Sequence, residues 1–281
     1  TGTRTQVGFY MKKVYIITNT AKDPSLSVTG NLVSLLKKQE IESVLAPAPM
    51  EKDVDCIFVL GGDGTLLKAA TDFADVDIPF LGINLGNLGF MTEIEIGQMD
   101  SAVAALKNHA YSIEERMMIN GRLSRKNSQP AVYHALNDIV LTRKGSLHIL
   151  AFEIYVNGQF LHSYKADGMI VSTPTGSTGY NMSAGGPIIE PRAKMILLTP
   201  ICPHTLNARS IVLSADDEIM IRIPNGRNGE NQDMEVNFDG AISEALATGD
   251  EVFITRSERV TKFIRLSHVS FLEILNKKFN D

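Results

Sequence analysis

The sequence predicts an α/β region built on a Rossmann-like parallel sheet, then an all-β sandwich, then a C-terminal helix that packs back on the first region. Three observations carry this reading. Up to Asn108, apolar runs of strand length alternate with stretches of helical periodicity, the pattern of a parallel sheet with helices on its faces. From Ile113 onward strands follow one another with hairpin signals between them. The last stretch, Phe271 to Phe279, returns to helical spacing. The expected domains are therefore 11–116, 117–267 and 268–281.

Taken in order, Thr1 to Tyr10 has no amphipathic pattern and is expected to be a cloning remnant ahead of a native start at Met11. Lys13 to Thr18 reads as a first buried strand, and Asn19, Thr20, Asp23 and Pro24 as a loop. A helix from about Ser25 to Gln39 follows, with Leu32, Leu35 and Leu36 at helical spacing, and then a strand from Ile41 to Ala46. Pro47 and Pro49 interrupt regular structure before Cys56 to Leu60, a continuous apolar run suited to a strand buried on both faces. Thr65 to Ala74 reads as a helix, Pro79 to Ile83 as a strand and Gln98 to Asn108 as a helix. In the second region strands are expected at Met118 to Ser124, Val132 to Leu141, Leu150 to Val156, Phe160 to Tyr164, Met169 to Ser172, Ile196 to Leu198, Glu218 to Ile223, Met234 to Phe238, Glu251 to Arg256 and Thr261 to Leu266. Asn157-Gly158 and Asp239-Gly240 mark hairpins, since both dipeptides accept the left-handed backbone of a tight turn. Pro224 to Asp233 reads as a polar surface loop.

Composition narrows the classes of function. A formal net charge of -5 argues against nucleic-acid binding through an overall basic field. The two cysteines, Cys56 and Cys202, lie far apart, and the six histidines lack ligand spacing, so neither a disulfide framework nor a structural metal is indicated. No apolar run has the length of a membrane span, and a cytoplasmic protein is expected.

Chemistry concentrates in two stretches. In Gly61-Gly62-Asp63-Gly64-Thr65 a strand passes through glycines into a helix, which presents free backbone N–H groups and the positive end of a helix dipole to phosphate oxygens. Asp63 puts a carboxylate where an anion should bind. It is suited to taking a proton from an attacking hydroxyl, to reaching phosphate through a divalent cation, or to capping the helix; from the residues alone these readings stand together. No Gly-Lys pair occurs, which excludes a Walker A loop, and the residues after Gly64 do not continue a dinucleotide fingerprint. Asn84 to Phe90 forms a second glycine-rich loop, either along the same sheet edge as a binding element or as a tight turn. The other stretch, Asp167 to Pro187, is crowded with hydroxyls and glycines that suit a base and ribose, with Tyr180 as a stacking face. Its prolines and apolar flanks argue against a flexible linker.

Over nearly its whole length from Met11 the chain resembles the bacterial NAD kinases. The resemblance rests on five blocks in the same order: Gly61 to Thr65, Asn84 to Phe90, Leu136-Asn137-Asp138, Asp167 to Pro187, and Pro203-His204-Thr205-Leu206. It implies an alcohol-accepting phosphotransferase with this two-domain plan. ATP, or polyphosphate, would be the donor, the 2′-hydroxyl of the NAD adenosine ribose the acceptor, and Asp63 the catalytic base. The implied nucleotide-binding set is Gly62, Gly64, Thr65, Asn84, Phe90, Asn137, Asp138, Asp167, Ser177, Thr178, Gly179, Tyr180 and Ser183. Mg²⁺ or another divalent cation would enter with ATP and not through a protein metal site, and a homo-oligomer, dimer or tetramer, is implied. Three positions depart from the family pattern: Asp138 stands where Glu is usual, Gly179 where Ala is common, and Lys165-Ala166 where Arg-Gly is more usual. They bear on fine substrate contacts and on selection between NAD and NADH. Two other readings compete, a lipid or sphingoid-base kinase with the same glycine turn and a non-catalytic NAD sensor. The Asp167 to Pro187 stretch speaks against the first and the retained Asp63 against the second.

Overall fold

The computed structural model describes residues 11–87, 89–125, 129–145, 149–205, 207–226, 229–266 and 269–280. The expected remnant at Thr1 to Tyr10, together with Leu88 and Leu206 of the motif blocks, lies outside the described residues. The chain forms two compact units. One holds the described residues up to Glu115 together with those from Thr261 on, and the other runs from Arg116 to Val260.

In the first unit β1 (Lys13–Thr18), β2 (Glu42–Leu45), β3 (Cys56–Gly61) and β4 (Phe80–Asn84) pair in parallel in the order β4-β3-β1-β2. Every residue of β3 and β4 is buried, as their unbroken apolar sequences require of strands covered on both faces. The covering elements are α1 (Ser27–Lys38), α2 (Asp63–Asp72) and, after the two-residue β5 (Ile94–Glu95), α3 (Met99–Lys107). Leu32 and Leu36 of α1 and Met99, Val103 and Leu106 of α3 join Val14, Ile16, Phe58 and Leu81 in one core. Because Thr18 pairs with Leu60 and Gly61 with Asn84, the loops after β1, β3 and β4 all leave from one edge of the sheet. The strand order reverses between β1 and β3, the point at which open α/β sheets bind ligands.

The second unit is a sandwich. One antiparallel sheet has β8 (Asp138–Arg143), β11 (Gly168–Ser172), β12 (Met195–Ile201), β13 (Ile211–Ser214), β15 (Asp233–Phe238) and β16 (Ile242–Ala247) in the order β13-β12-β11-β8-β15-β16. Its counterpart contains β6 (Ser112–Ser124), β7 (Ala131–Ala135), β9 (Leu150–Val156), β10 (Gln159–Ala166), β14 (Ile219–Arg222) and β17 (Glu251–Arg265). Alternating buried positions of β9 and β14 in one sheet meet β11 and β15 of the other over a core that includes Phe152, Ile154, Met169, Val171 and Phe238. The helix α4 (Tyr180–Ser183) follows β11. The last helix, α5 (Phe271–Asn280), belongs to the first unit, where its Phe271 ring lies 5.9 Å from that of Phe90.

Two expectations change. Val132 to Leu141 is not one strand: β7 ends at Ala135, and β8 starts at Asp138 in the other sheet. The Asp239 carboxylate makes the break by accepting the backbone N–H groups of Leu136, Asn137 and Asp138 at 2.7, 2.7 and 3.1 Å. Glu251 to Arg256 and Thr261 to Leu266 are, conversely, parts of the single strand β17, whose polar Ser257 to Arg259 interrupt the hydrophobic pattern without breaking the backbone. The compact units divide again at Val260 and Thr261, and Phe263 pairs with Phe80 of β4. The hairpins hold as read: Asn157, Gly158, Asp239 and Gly240 all have positive φ.

Candidate functional site

In the first unit the glycine turn carries Asp63 into the first turn of α2, with Gly62 as the residue before the helix. The capping alternative fails, since the helix has no side-chain cap. The Asp63 carboxylate turns away to the second glycine loop and accepts the backbone N–H groups of Phe90, Met91 and Thr92 at 2.7, 3.0 and 3.2 Å. A Cβ on Gly89 would run into that carboxylate, so the bare backbone is a condition of the geometry. The two glycine-rich loops are thus one construction, in which one loop fixes the acid of the other.

The remaining members sit around it in supporting or open positions. Asn84 ties its own loop, its amide bonded to the N–H and C=O of Gly86 at 3.1 and 2.8 Å. Thr65 accepts a hydrogen bond from the Asn19 side chain at 3.1 Å and fills the space beside Gly61. Phe90 meets Phe271 and lies under the Lys278 ammonium, 5.0 Å from its ring centre. Space beside Gly64 is open.

In the second unit β11 delivers the hydroxyl-rich loop against the Leu136-Asn137 turn. Thr173 donates from its backbone N–H to the Asn137 carbonyl and from its hydroxyl to that of Leu136, at 2.8 and 2.6 Å, while Ser172 Oγ donates to the Asn137 carbonyl at 3.1 Å. Asn137 Oδ1 is buried and, among the described residues, unpartnered, an acceptor that faces no donor there. Asp138 is 7% exposed, and no hydrogen bond among the described residues reaches its carboxyl. Desolvation first, and the Asp239 charge second, push its pKa up to about 7. Asp167 is held by Arg143 at 2.7 Å with the His204 ring 3.9 Å away. His204 is also anchored by its backbone N–H to the Lys165 carbonyl at 2.8 Å.

Not every hydroxyl of the loop faces outward. Ser177 is fully buried, bonded to the Pro174 carbonyl at 2.7 Å and to both backbone groups of Ile189 at 3.0 and 3.1 Å, so its role is to close the loop. Thr178 and Gly179 are half-buried, Ser183 is exposed and Tyr180 is 45% exposed, a free aromatic face. Gly176 packs so closely that a Cβ would meet the Asn137 carbonyl. Gly176→Ala is expected to cost about 1–3 kcal/mol, the range for forced overpacking, and urea unfolding of the variant measures it.

Sequence reasoning missed several members. Asn181 is fully buried and organises the loop through the Ser177 and Pro187 carbonyls and Thr199. Arg116, 4% exposed, donates to Thr175 at 3.3 Å. Arg143 fell in no element read from the sequence, and Asp239 was read only as a hairpin residue. For Asn181 the signal was a polar residue one position past the candidate stacking Tyr180; for Arg143 only three-dimensional contact reveals the role.

A doubly wound sheet with a carboxylate locked in its glycine turn, followed by a sandwich with a hydroxyl-rich loop, defines a class: the two-domain kinases that carry a Gly-Gly-Asp-Gly-Thr turn. Comparison with known proteins narrows it. Residues 8–111 match the ATP-NAD kinase N-terminal domain and residues 136–266 the ATP-NAD kinase C-terminal domain. The NAD kinase of Lachnospira eligens is 41% identical over 95% of this chain and 100% of its own length. That of Agathobacter rectalis is 43% identical over 96% of this chain and 99% of its own. Among solved structures, yeast NADH kinase complexed with NADH superposes with a TM-score of 0.87 at 26% identity, covering 97% of this chain and 89% of that one. An Archaeoglobus fulgidus NAD kinase in complex with ATP gives 0.77 at 25% identity, covering 95% and 97%. The chain belongs to the NAD kinase family.

Proposed function

We propose that this chain transfers the γ-phosphoryl group of ATP to the 2′-hydroxyl of the adenosine ribose of NAD, giving NADP and ADP. The observation that carries the reading is the Asp63 carboxylate, fixed at a phosphate-binding glycine turn by three backbone donors. Asp63 accepts the proton of the 2′-hydroxyl as its oxygen bonds to the γ-phosphorus. The bond from that phosphorus to the bridging oxygen breaks, and ADP leaves with the electron pair. Gly62 and Gly64 leave room for phosphate, with Thr65, Asn84 and Phe90 shaping the turn around it. Asn137, Asp138, Asp167, Ser177, Thr178, Gly179, Tyr180 and Ser183 form or support the dinucleotide site. The unpartnered Asn137 Oδ1 suits a donor such as the exocyclic amino group of adenine.

A divalent cation such as Mg²⁺ would be held mainly by the substrate phosphates, with at most a single carboxylate from the chain. When bound, the cation neutralises charge on the transferring phosphoryl group. In this reading residues 11–116 carry phosphoryl transfer, 117–267 hold NAD and 268–281 brace the first domain. The protein works as a homo-oligomer, a dimer or tetramer, in the cytoplasm. Association is supported by β10, which presents Phe160 and Leu161 at 58% and 39% exposure.

The test is NADP formation from NAD with ATP and Mg²⁺, read by a dehydrogenase that accepts only NADP. Product is expected. Its absence with ATP and with polyphosphate would overturn the reading, in favour of a sensor if NAD still binds and of a lipid or sphingoid-base kinase if it does not.

A further inference from the structure

We propose that Lys22 is a phosphate-binding residue of this kinase, holding the terminal phosphates of the phosphoryl donor over the Gly62 turn. The inference rests on the reading of the chain as an ATP-dependent kinase and adds a residue to it. Lys22 lies in the loop after β1 and Gly62 in the loop after β3, the two strands that flank the reversal point of the sheet. The Lys22 ammonium stands 3.3 Å from where a Cβ on Gly62 would be and 2.9 Å from where one on Gly86 would be. It therefore rests against two stretches of bare backbone, one from each glycine-rich loop.

The base of this side chain is fixed from two sides. Asn19 donates from its backbone to the Leu60 carbonyl at 2.8 Å and from its amide to Thr65 at 3.1 Å, tying the loop to the glycine turn. The backbone N–H groups of Lys22 and Asp23 both return to the Asn19 carbonyl at 3.0 Å. The Asp23 carboxylate then accepts the N–H and hydroxyl of Thr29 at 2.9 and 2.8 Å, tying the loop to the start of α1. On this rigid support the ammonium itself is exposed and has neither an ion pair nor a side-chain hydrogen bond among the described residues.

An exposed lysine is ordinarily a solvated point charge. Two features separate Lys22 from that case. Its ammonium lies against the bare backbone of Gly62 and Gly86 and, among the described residues, pairs with no acid, Asp63 included, whereas Lys68 is held by Asp72 at 2.9 Å and Lys13 by Glu51 at 2.8 Å. Its ammonium also sits beside the positive end of α2, an unfavourable place for a cation until an anion arrives. The reaction calls for such a cation, because Asp63 places negative charge next to the donor phosphates. Where a Walker A loop would carry its lysine in the glycine turn itself, this fold brings one from the neighbouring loop.

The experiment compares wild type, Lys22→Met and Lys22→Arg as full chains. It measures initial rates of NADP formation with ATP and NAD varied separately, ATP affinity by calorimetric titration, and thermal unfolding. Lys22→Met is expected to raise KM and Kd for ATP by about tenfold or more, the loss of one charge-assisted hydrogen bond. KM for NAD and the unfolding temperature stay near wild type, and Lys22→Arg recovers most of the ATP affinity. Unchanged ATP constants in Lys22→Met would overturn the proposal while leaving the kinase reading intact. So would a loss shared with NAD, accompanied by lower thermal stability and not rescued by arginine. Should wild type form no NADP, the kinase reading falls, and the ATP affinities decide the rest: equal values for wild type and Lys22→Met, or none for either, overturn the role of Lys22 as well.

Discussion

Asp63→Asn is expected to lower kcat by about 10²–10⁴-fold, the contribution of a positioned general base. The substitution keeps size and shape but removes the site that accepts a proton. Oxygen Oδ1 of the new amide still accepts from Met91 and Thr92, whereas Nδ2 would meet the Phe90 N–H that now lies 2.7 Å from Oδ2, donor against donor. That mismatch costs about 1–3 kcal/mol locally, so the control is NAD affinity, which should stay within a few-fold of wild type. A variant that binds NAD and forms NADP within tenfold of the wild-type rate would remove Asp63 from the chemistry. A collapse of rate with binding preserved also separates a kinase from a sensor, because a sensor has no use for a carboxylate beside phosphates.

The first unit was legible in the sequence nearly strand by strand, and the reason is physical. Strands buried on both faces must be uniformly apolar, and glycines must stand where the backbone turns sharply at their ends, so β3, β4 and both glycine loops announce themselves. What stayed hidden is which loop holds which. No periodicity predicts that Asp63 is fixed by the backbone of Phe90 to Thr92, or that Lys22 reaches Gly62 and Gly86. In the second unit the alternating pattern identified strands but not their sheets. Val132 to Leu141 reads as one strand because both parts alternate correctly, and the change of sheet at Leu136-Asn137 depends on Asp239, about a hundred residues away. The short edge strand β13 escaped notice, since a four-residue apolar run is too short to separate strand from loop. The hydroxyls of the Asp167 to Pro187 loop were recognisable as a group, but composition could not tell Ser177, which closes the loop from inside, from Ser183, which faces out.

Asp138→Asn is expected to stabilise the fold at pH 8 and to weaken NAD binding. The native carboxyl titrates at about 7, raised from 3.8 by desolvation and by the Asp239 charge. Between those values the native state holds more protons than the unfolded chain, so stability falls as pH rises through that window. The penalty is fully present above about pH 7 and absent below about pH 4. At 1.36 kcal/mol per unit, removing the charge returns up to about 4 kcal/mol at pH 8, shrinking to nothing in acid. Urea unfolding of both proteins at pH 5 and pH 8 measures the difference. No gain at pH 8 would show that the carboxyl is solvated or paired in the native protein. A chain that keeps a destabilising acid at the turn beside the unpartnered Asn137 Oδ1 has a use for it there. In the proposed function that use is a hydrogen bond to the dinucleotide, which the amide reproduces with one oxygen in place of two. The KM for NAD of Asp138→Asn should therefore rise even as the protein becomes harder to unfold. Those opposite signs separate a binding residue from a packing residue, whose removal would lower stability and affinity together.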